Sequence, residues 1–539
     1  MNYDSNIAVK KFIKNSKLPH SNVEVIKKFI NFKTGICYLQ IRFWHSPSMS
    51  TLRVLPRSDI YKNSNTLIDL GADVGDMKLL LKSISQQESQ LDITYTHTDI
   101  GWCDLEQQKI FQASSSYPIE SEYSGNIDIS PKGSYEGWIR AVKDYAMPQV
   151  ALQLAVILGL SAVTVGFLKN ELDGSLFVHL YGASSKGKTT FAMLAVSTAG
   201  NPNPTDKNTL MSDWSDTANY RISMLANNNG FPVVFDELSK CNQRDISDFC
   251  YNVANGRDKG RLNSNAERKD VPTWSTTVIS TGENSLLSQC NNNGGLLVRV
   301  LELSIDTITN SANNAEQLKH GIINNYGFAN TKFAKCLLKN ESIVKRKFSK
   351  WRSKIETDIP VKSNLISRLS KRLAVIMLTA EVAKKFFKLD FDISEIEKII
   401  IDSVIKQNEL HPFDMGENLI QFLLQDLVAN AKYYKKSSQF DFQEEEYGNL
   451  TAVIKRTTQK QLSESEHSNF EIIYIPLKFE KLLNNGGFTD INLCLAELKK
   501  RNYLVTEKNH NKVKRTIDGK QIRAYVVRLP TSLFNPNFE

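Results

Sequence analysis

The chain has 539 residues, 41% hydrophobic and 23% charged, the proportions of a globular protein with room for about three or four domains. Its seven cysteines (37, 103, 241, 250, 290, 336 and 494) form no CxxC pair and have no histidine at ligand spacing, which excludes a disulfide framework and a zinc site and points to reduced cytosolic thiols. The net charge of +9 is concentrated: between Lys499 and Arg528 ten Lys/Arg stand against Glu507 and Asp518, a net +8 suited to a polyanionic partner.

Residues 1–20 are polar and basic and read as a loose arm or a short helix, with none of the apolar core and cleavage pattern of a signal peptide. From Val23 to about Ser130, short β-prone runs (Gly35–Trp44, Leu52–Pro56, Leu91–Tyr95, Ile110–Ala113) sit between turn clusters and predict an α+β domain of collar-like role. His97 stands alone between threonines and reads as structural. The pattern then becomes α/β. A helix over 136–145 precedes Val150–Leu168, an uncharged stretch that approaches membrane-spanning length. Gln153, Ser161, Thr164 and two glycines within it predict a core helix and a soluble, cytoplasmic protein without a membrane partner.

A strand over Leu176–Tyr181 leads into Gly182-Ala183-Ser184-Ser185-Lys186-Gly187-Lys188-Thr189, followed by Thr190, with a helix over Lys188–Ala199. This matches the eight-position phosphate-loop pattern in full, between the strand and the helix it requires. Glycines let the backbone N–H groups turn toward phosphate oxygens, Lys188 would reach the β- and γ-phosphates of ATP, and Thr189 would hold Mg²⁺. The apolar strand Pro232–Phe235 ends in Asp236-Glu237, 47 residues beyond Thr189. The pair reads as a Mg²⁺-ordering acid, Asp236, and a water-polarising base, Glu237, or else as a helix cap. Thr281, after the strand Thr276–Ser280, would place a polar group near the reacting water.

Arg299 lies in the run Leu296-Leu-Val-Arg-Val-Leu, expected as a strand from Leu297 to Ser304. An isolated cation there reads either as an arginine finger acting on a neighbouring subunit or as the ion-pair partner of Glu302. Arg368 and Arg372, one helical turn apart in a Lys-rich helical region, read as γ-phosphate ligands or as a solvated face. Asn255–Lys269, rich in glycine and basic residues, reads as a hairpin gripping a phosphate backbone through Lys259 and Arg261, or as a surface loop. Near the C-terminus a helix over 475–484, a second over 491–501 capped by Thr489-Asp490, and a hairpin turning at Asp518-Gly519 outline a winged helix, with Lys512, Lys514, Arg515 and Arg523 on the wing.

The pieces Gly182–Thr190, Asp236-Glu237, Tyr251–Gly256, Ser280-Thr-Gly-Glu283 and Gly294–Arg299 together resemble the DUF927-type, MCM-like replicative helicases of staphylococcal cassette chromosomes and pathogenicity islands. The resemblance implies a self-loading AAA+ hexamer moving 3′→5′ on single-stranded DNA, a winged helix that recognises duplex DNA at an origin, and an element-encoded primase or polymerase as a partner. It makes Arg299 the finger and Lys259/Arg261 the pore hairpin. The implied sensor is commonly Asn, where this chain has Ser280-Thr281. The expected fold class is multidomain α/β: an N-terminal α+β domain (1–132), an AAA+ P-loop core (133–306), a helical lid (307–432), a linker (433–449) and a winged helix (450–539). The alternative function is an origin-binding initiator or helicase loader that unwinds nothing itself.

Overall fold

A computed structural model describes residues 22–530 except 74, 243–245, 263–267, 269, 291–293, 306, 361–365, 412–413, 437–449, 459–467, 489, 508–509 and 518–519. The predicted N-terminal arm, most of the linker, Thr489 and the Asp518-Gly519 turn therefore lie outside the described residues. In the first domain the strands Met49–Pro56, Cys37–Ser46, Val23–Asn31, Ile93–His97 and Glu122–Tyr123 form one sheet in that spatial order. The helix Met77–Glu88 places Leu80 and Ile84 against Val23, Leu39, Ile41 and Phe43. His97 is buried, its ring nitrogens 2.7 Å from Ser121 Oγ and from the carbonyl oxygen of Ala113, and burial lowers its pKa.

The helix Val150–Phe167 is long and apolar enough to cross a membrane, yet 17 of its 18 residues are buried inside the protein. Its polar side chains are all engaged. Gln153 donates to the carbonyl of Met147 at 2.7 Å, the Ser161 hydroxyl lies 2.8 Å from that of Thr277, and the Thr164 hydroxyl lies 2.7 Å from that of Thr379. A helix apolar all round needs cover all round. Beneath it runs a wholly parallel sheet of Met211–Asp213, Val233–Asp236, Thr277–Gly282, Leu176–Tyr181 and Val300–Ser304, in that order. The helix Lys188–Ser197 and the long helix Ile366–Phe387 pack into the same core.

That packing groups the chain differently from the sequence boundaries. Ile100, Trp102 and Phe111, expected in the N-terminal unit, belong to the central core, where the Trp102 indole donates to the carbonyl of Val163 at 2.8 Å. The helices from Ala312 to Leu410 share that core and form no separate cluster. The helix Met415–Ala429, expected in the lid, places Leu419, Leu423 and Leu427 in the C-terminal core. There Pro476–Asn485 and Ile491–Lys500 form a helix–turn–helix, Asp490 capping the second helix through the N–H of Leu493 at 3.0 Å. The hairpin Val513–Ile517 with Lys520–Pro530 follows. The sequence reading missed the paired strands Ala452–Thr458 and Ser468–Tyr474.

Gly159 marks the closest approach of the central helix to its neighbour: a Cβ there would lie 2.3 Å from the carbonyl oxygen of Ala195. Gly159→Ala is expected to destabilise the protein by about 1–3 kcal/mol through overpacking. Gly75→Ala, with nothing within 4 Å of its Cβ, should leave the melting temperature unchanged in a thermal denaturation comparison.

Candidate functional site

The strand Leu176–Tyr181 is buried along most of its length and delivers the chain to the carboxyl end of the sheet, where α/β proteins place their ligands. The loop that follows includes Ser185 at φ 60° and Gly187 at φ 94°, and the helix begins at Lys188. The left-handed turn at Gly187 is one that a side chain disfavours, and it aims the first helical N–H groups into the loop. The Lys188 ammonium folds back over the loop and donates to the carbonyls of Gly182 and Ala183, both at 2.8 Å.

Two strands away, Asp236 closes its strand. The strand between them, Thr277–Gly282, carries Thr281, which joins the site together. The Thr281 hydroxyl donates to one Asp236 carboxylate oxygen and accepts from the N–H of Glu237 at 3.1 Å. The other Asp236 oxygen accepts from the Thr189 hydroxyl at 3.2 Å. Glu237 has φ 64°, sparsely populated for a side chain of its size and of the kind found at functional sites. Its carboxylate accepts from Ser239 Oγ at 2.6 Å, and the short helix after it has no side-chain cap, so the capping alternative does not describe Glu237. The oxygens gathered here, from Thr189 and Asp236, are the hard donors that suit Mg²⁺.

The loop opens on a cavity of about 640 Å³, which Thr189, Thr190 and Glu237 also line. Its far wall comes from Thr307, Thr309, Ser311, Glu316 and Lys319, residues the sequence reading did not single out. Ser311 caps the helix Ala312–Asn324 through the N–H of Asn314 at 3.1 Å. That cap was visible as a local signal, but nothing local announced that this helix would face the loop. Glu283 also borders the cavity and accepts a hydrogen bond from Ser184.

Beneath the site His179 is fully buried, 2.9 Å from both Ser280 Oγ and the carbonyl oxygen of Asn284, with the Trp214 indole donating to the same Ser280 hydroxyl at 2.9 Å. Ser280 thus points into the core and Thr281 toward the acids, as alternation along a strand requires.

The predicted arginines do not meet the cavity. Arg299 lies just before the strand Val300–Ser304, whose first residue pairs with Phe177 and whose last pairs with Tyr181. This puts it at the amino end of the sheet, five residues or roughly 17 Å below Tyr181, after which the loop begins, at 3.3 Å per residue. Its Nε donates to Asn255 Oδ1 at 3.0 Å and its Nη1 to the carbonyl of Gly295 at 2.7 Å. The alternative reading, an ion pair with Glu302, does not form. Glu302 is buried, its carboxylate held by the Ser285 hydroxyl at 2.8 Å and the Leu287 N–H at 3.0 Å, and burial raises its pKa. Arg372, expected as a nucleotide ligand, is buried at the same amino end and donates to the carbonyls of Asp173 (2.9 Å), Ser175 and Val298 (both 3.3 Å). Burial and the nearby Arg299 push its pKa down to about 10. Arg368 is exposed beside it. Within one chain, neither faces the loop.

The stretch after Asn255 does form hairpin arms, with bridges Arg257–Thr273 and Leu262–Arg268. Lys259 pairs with Asp248 at 2.6 Å, and Arg261 donates to Asn219 Oδ1 at 3.1 Å. On the C-terminal hairpin Lys514 and Arg523 sit directly opposite each other and are exposed. Lys512 is tied to Glu480 at 3.3 Å, and Arg515 lies 3.8 Å from Glu471.

Burial pushes the His179 pKa down to about 4, below its ordinary value near 6.5. A depressed histidine contributes stability above its unfolded pKa and loses it as pH falls through the folded pKa, here across the window from about 6.5 to 4 at a cost of about 3 kcal/mol. Melting temperatures measured across that window should fall less steeply for His179→Gln than for the wild type.

Residues 8–272 match the family model of DUF927, a domain of unknown function, and residues 414–532 match that of the Cch helix turn helix domain. No curated protein matches the sequence. Among solved structures, the SCCmec type IV Cch active helicase aligns over 95% of this chain and 93% of its own, at 24% identity and a TM-score of 0.76. That likeness establishes a shared fold, and its extent covers both matched regions. Two stretches of the chain, 8–272 and 414–532, are thus similar to the DUF927 and Cch helix–turn–helix families, on a fold the chain shares with the Cch helicase.

Proposed function

We propose that this chain is an ATP-dependent DNA helicase of the AAA+ P-loop type, a self-loading, ring-forming motor, hexameric by the family resemblance, that initiates or drives replication of a mobile genetic element. The observation that carries the reading is the hydroxyl of Thr281, which ties Asp236 and Glu237 to the Thr189 end of the loop. The shared fold with a relative described as an active helicase supports it.

In this mechanism the loop N–H groups and the Lys188 ammonium cradle the β- and γ-phosphates, the ammonium exchanging its present carbonyl partners for phosphate oxygens. Mg²⁺ held by Thr189 and Asp236 would neutralise charge on those oxygens. Glu237, anchored by Ser239, orients and deprotonates the attacking water. Arg299, too far from its own loop, serves the γ-phosphate of a neighbouring subunit. Arg368 lies at the same end and belongs to that interface, while Arg372 braces it from within. Lys259 and Arg261 on the hairpin hold the single strand, and the wing, through Lys514 and Arg523, holds duplex DNA at an origin. An element-encoded primase or polymerase would use the strand so exposed.

A basic wing also suits an initiator or loader that unwinds nothing, so strand displacement on a forked substrate is the deciding measurement. Glu237→Gln should retain ATP binding and lose roughly 100-fold or more in turnover, with no fork unwinding. Lys188→Ala should lose nucleotide binding as well. Unwinding by the purified Glu237→Gln protein would overturn the assignment. Replacing Lys514 and Arg523 together by Glu should weaken duplex binding and lower its salt slope by about two, while DNA-free ATP turnover stays intact.

A further inference from the structure

The helix Ser247–Asn255 lines none of the site, yet it touches both moving parts that the proposed function needs. The Arg299 guanidinium lies 5.4 Å from the centre of the Tyr251 ring, within reach of the cation–π attraction. One helical turn later Asn255 Oδ1 accepts from Arg299 Nε at 3.0 Å. A guanidinium carries five N–H donors in a rigid plane, so fixing Nε and Nη1 and seating the plane on a ring sets the direction of the rest.

The same helix end is the root of the hairpin. Gly256 terminates the helix at φ 69°, and a Cβ there would lie 2.4 Å from the carbonyl oxygen of Trp274. The Gly256 carbonyl accepts from the Trp274 N–H at 2.9 Å, and the Trp274 indole donates to the carbonyl of Val253 at 3.0 Å. The Asp258 backbone N–H donates to the carbonyl of Pro272 at 3.1 Å, beside the Arg257–Thr273 bridge. Trp274 thus joins the returning hairpin arm to the last turn of the helix, and Asn255, in that turn, joins it to Arg299. Shifting the guanidinium by an ångström pulls on the residue from which the hairpin departs.

We propose that Tyr251 and Asn255 are positioning residues that couple Arg299 to the hairpin arms carrying Lys259 and Arg261, so that the guanidinium's place at the neighbouring nucleotide and the orientation of those arms on DNA change together. This rests on the reading of Arg299 as acting on a neighbour's nucleotide and of the hairpin as a DNA contact. Asn255 supplies the directional link and Tyr251 the seat.

The test measures ATP kcat and KM of the full chain with and without single-stranded DNA, and base pairs unwound per ATP. Asn255→Ala and Tyr251→Leu should lose DNA stimulation of kcat by about fivefold or more and unwinding per ATP by about tenfold, with KM within about twofold of wild type. Asn255→Asp, which keeps the acceptor, and Tyr251→Phe, which keeps the ring, should recover both. The proposal fails if the truncations stimulate and unwind like wild type, or if the conservative variants are as impaired as the truncations, since that marks a merely structural role. If Asn255→Ala melts early, the Tyr251 pair decides alone. Failure of the underlying reading looks different: Arg299→Ala would keep full ATP turnover, or Lys259→Ala/Arg261→Ala would keep full single-strand affinity.

Discussion

A helix with no polar face cannot sit at a surface, and Val150–Phe167 imposes that constraint on everything around it. Its burial demands cover on all sides, and the chain supplies it from distant stretches: Trp102 and Phe111 from one direction, the parallel sheet and the helix Lys188–Ser197 from another, and Ile366–Phe387 from a third. Apolar surface removed from water is worth about 25 cal/mol per Å², which is why segments more than two hundred residues apart in sequence share one core. The helices read as a lid are fastened to the sheet by this packing.

The parallel sheet then sorts the chemistry by strand end. Its carboxyl end brings Thr189, Asp236, Glu237 and Thr281 into one hydrogen-bonded group beside the cavity on which the loop opens, because a parallel arrangement sends every strand's following residue to the same side. The strand between the loop strand and the acid strand makes the arrangement cooperative, since a single hydroxyl from it reaches both acids. Its neighbour Ser280 faces inward to His179 and Trp214, so the alternation of one strand divides a structural residue from a site residue.

The amino end holds the opposite charge. Arg299, Arg372 and Arg368 cluster there, with Arg372 inside a cage of carbonyl oxygens. In the proposed motor, a nucleotide cavity at one end of the sheet and a cation cluster at the other would suit head-to-tail assembly of subunits. In the proposed motor the helix Ser247–Asn255 connects that cation cluster to the DNA hairpin.

The sequence by itself determined the elements with strong local signals. The loop pattern between strand and helix, the acids ending an apolar strand, the uncharged core helix, the basic hairpin arms and the helix–turn–helix with its wing all follow from periodicity, turn chemistry and charge within short windows. His97 as a buried structural residue was legible because no partner stood near it in sequence. Other features had no local signal, because they depend on which strands become neighbours. Thr281 reaches Asp236 only because its strand lies between two others. Ser311, Glu316 and Lys319 line the cavity only because the chain returns to it after the last strand of the sheet. Arg372 read as a phosphate ligand because its charge was visible and its surroundings were not. Only the tertiary structure set three backbone carbonyls around it, and that contact decided whether the charge faces a ligand or braces the core.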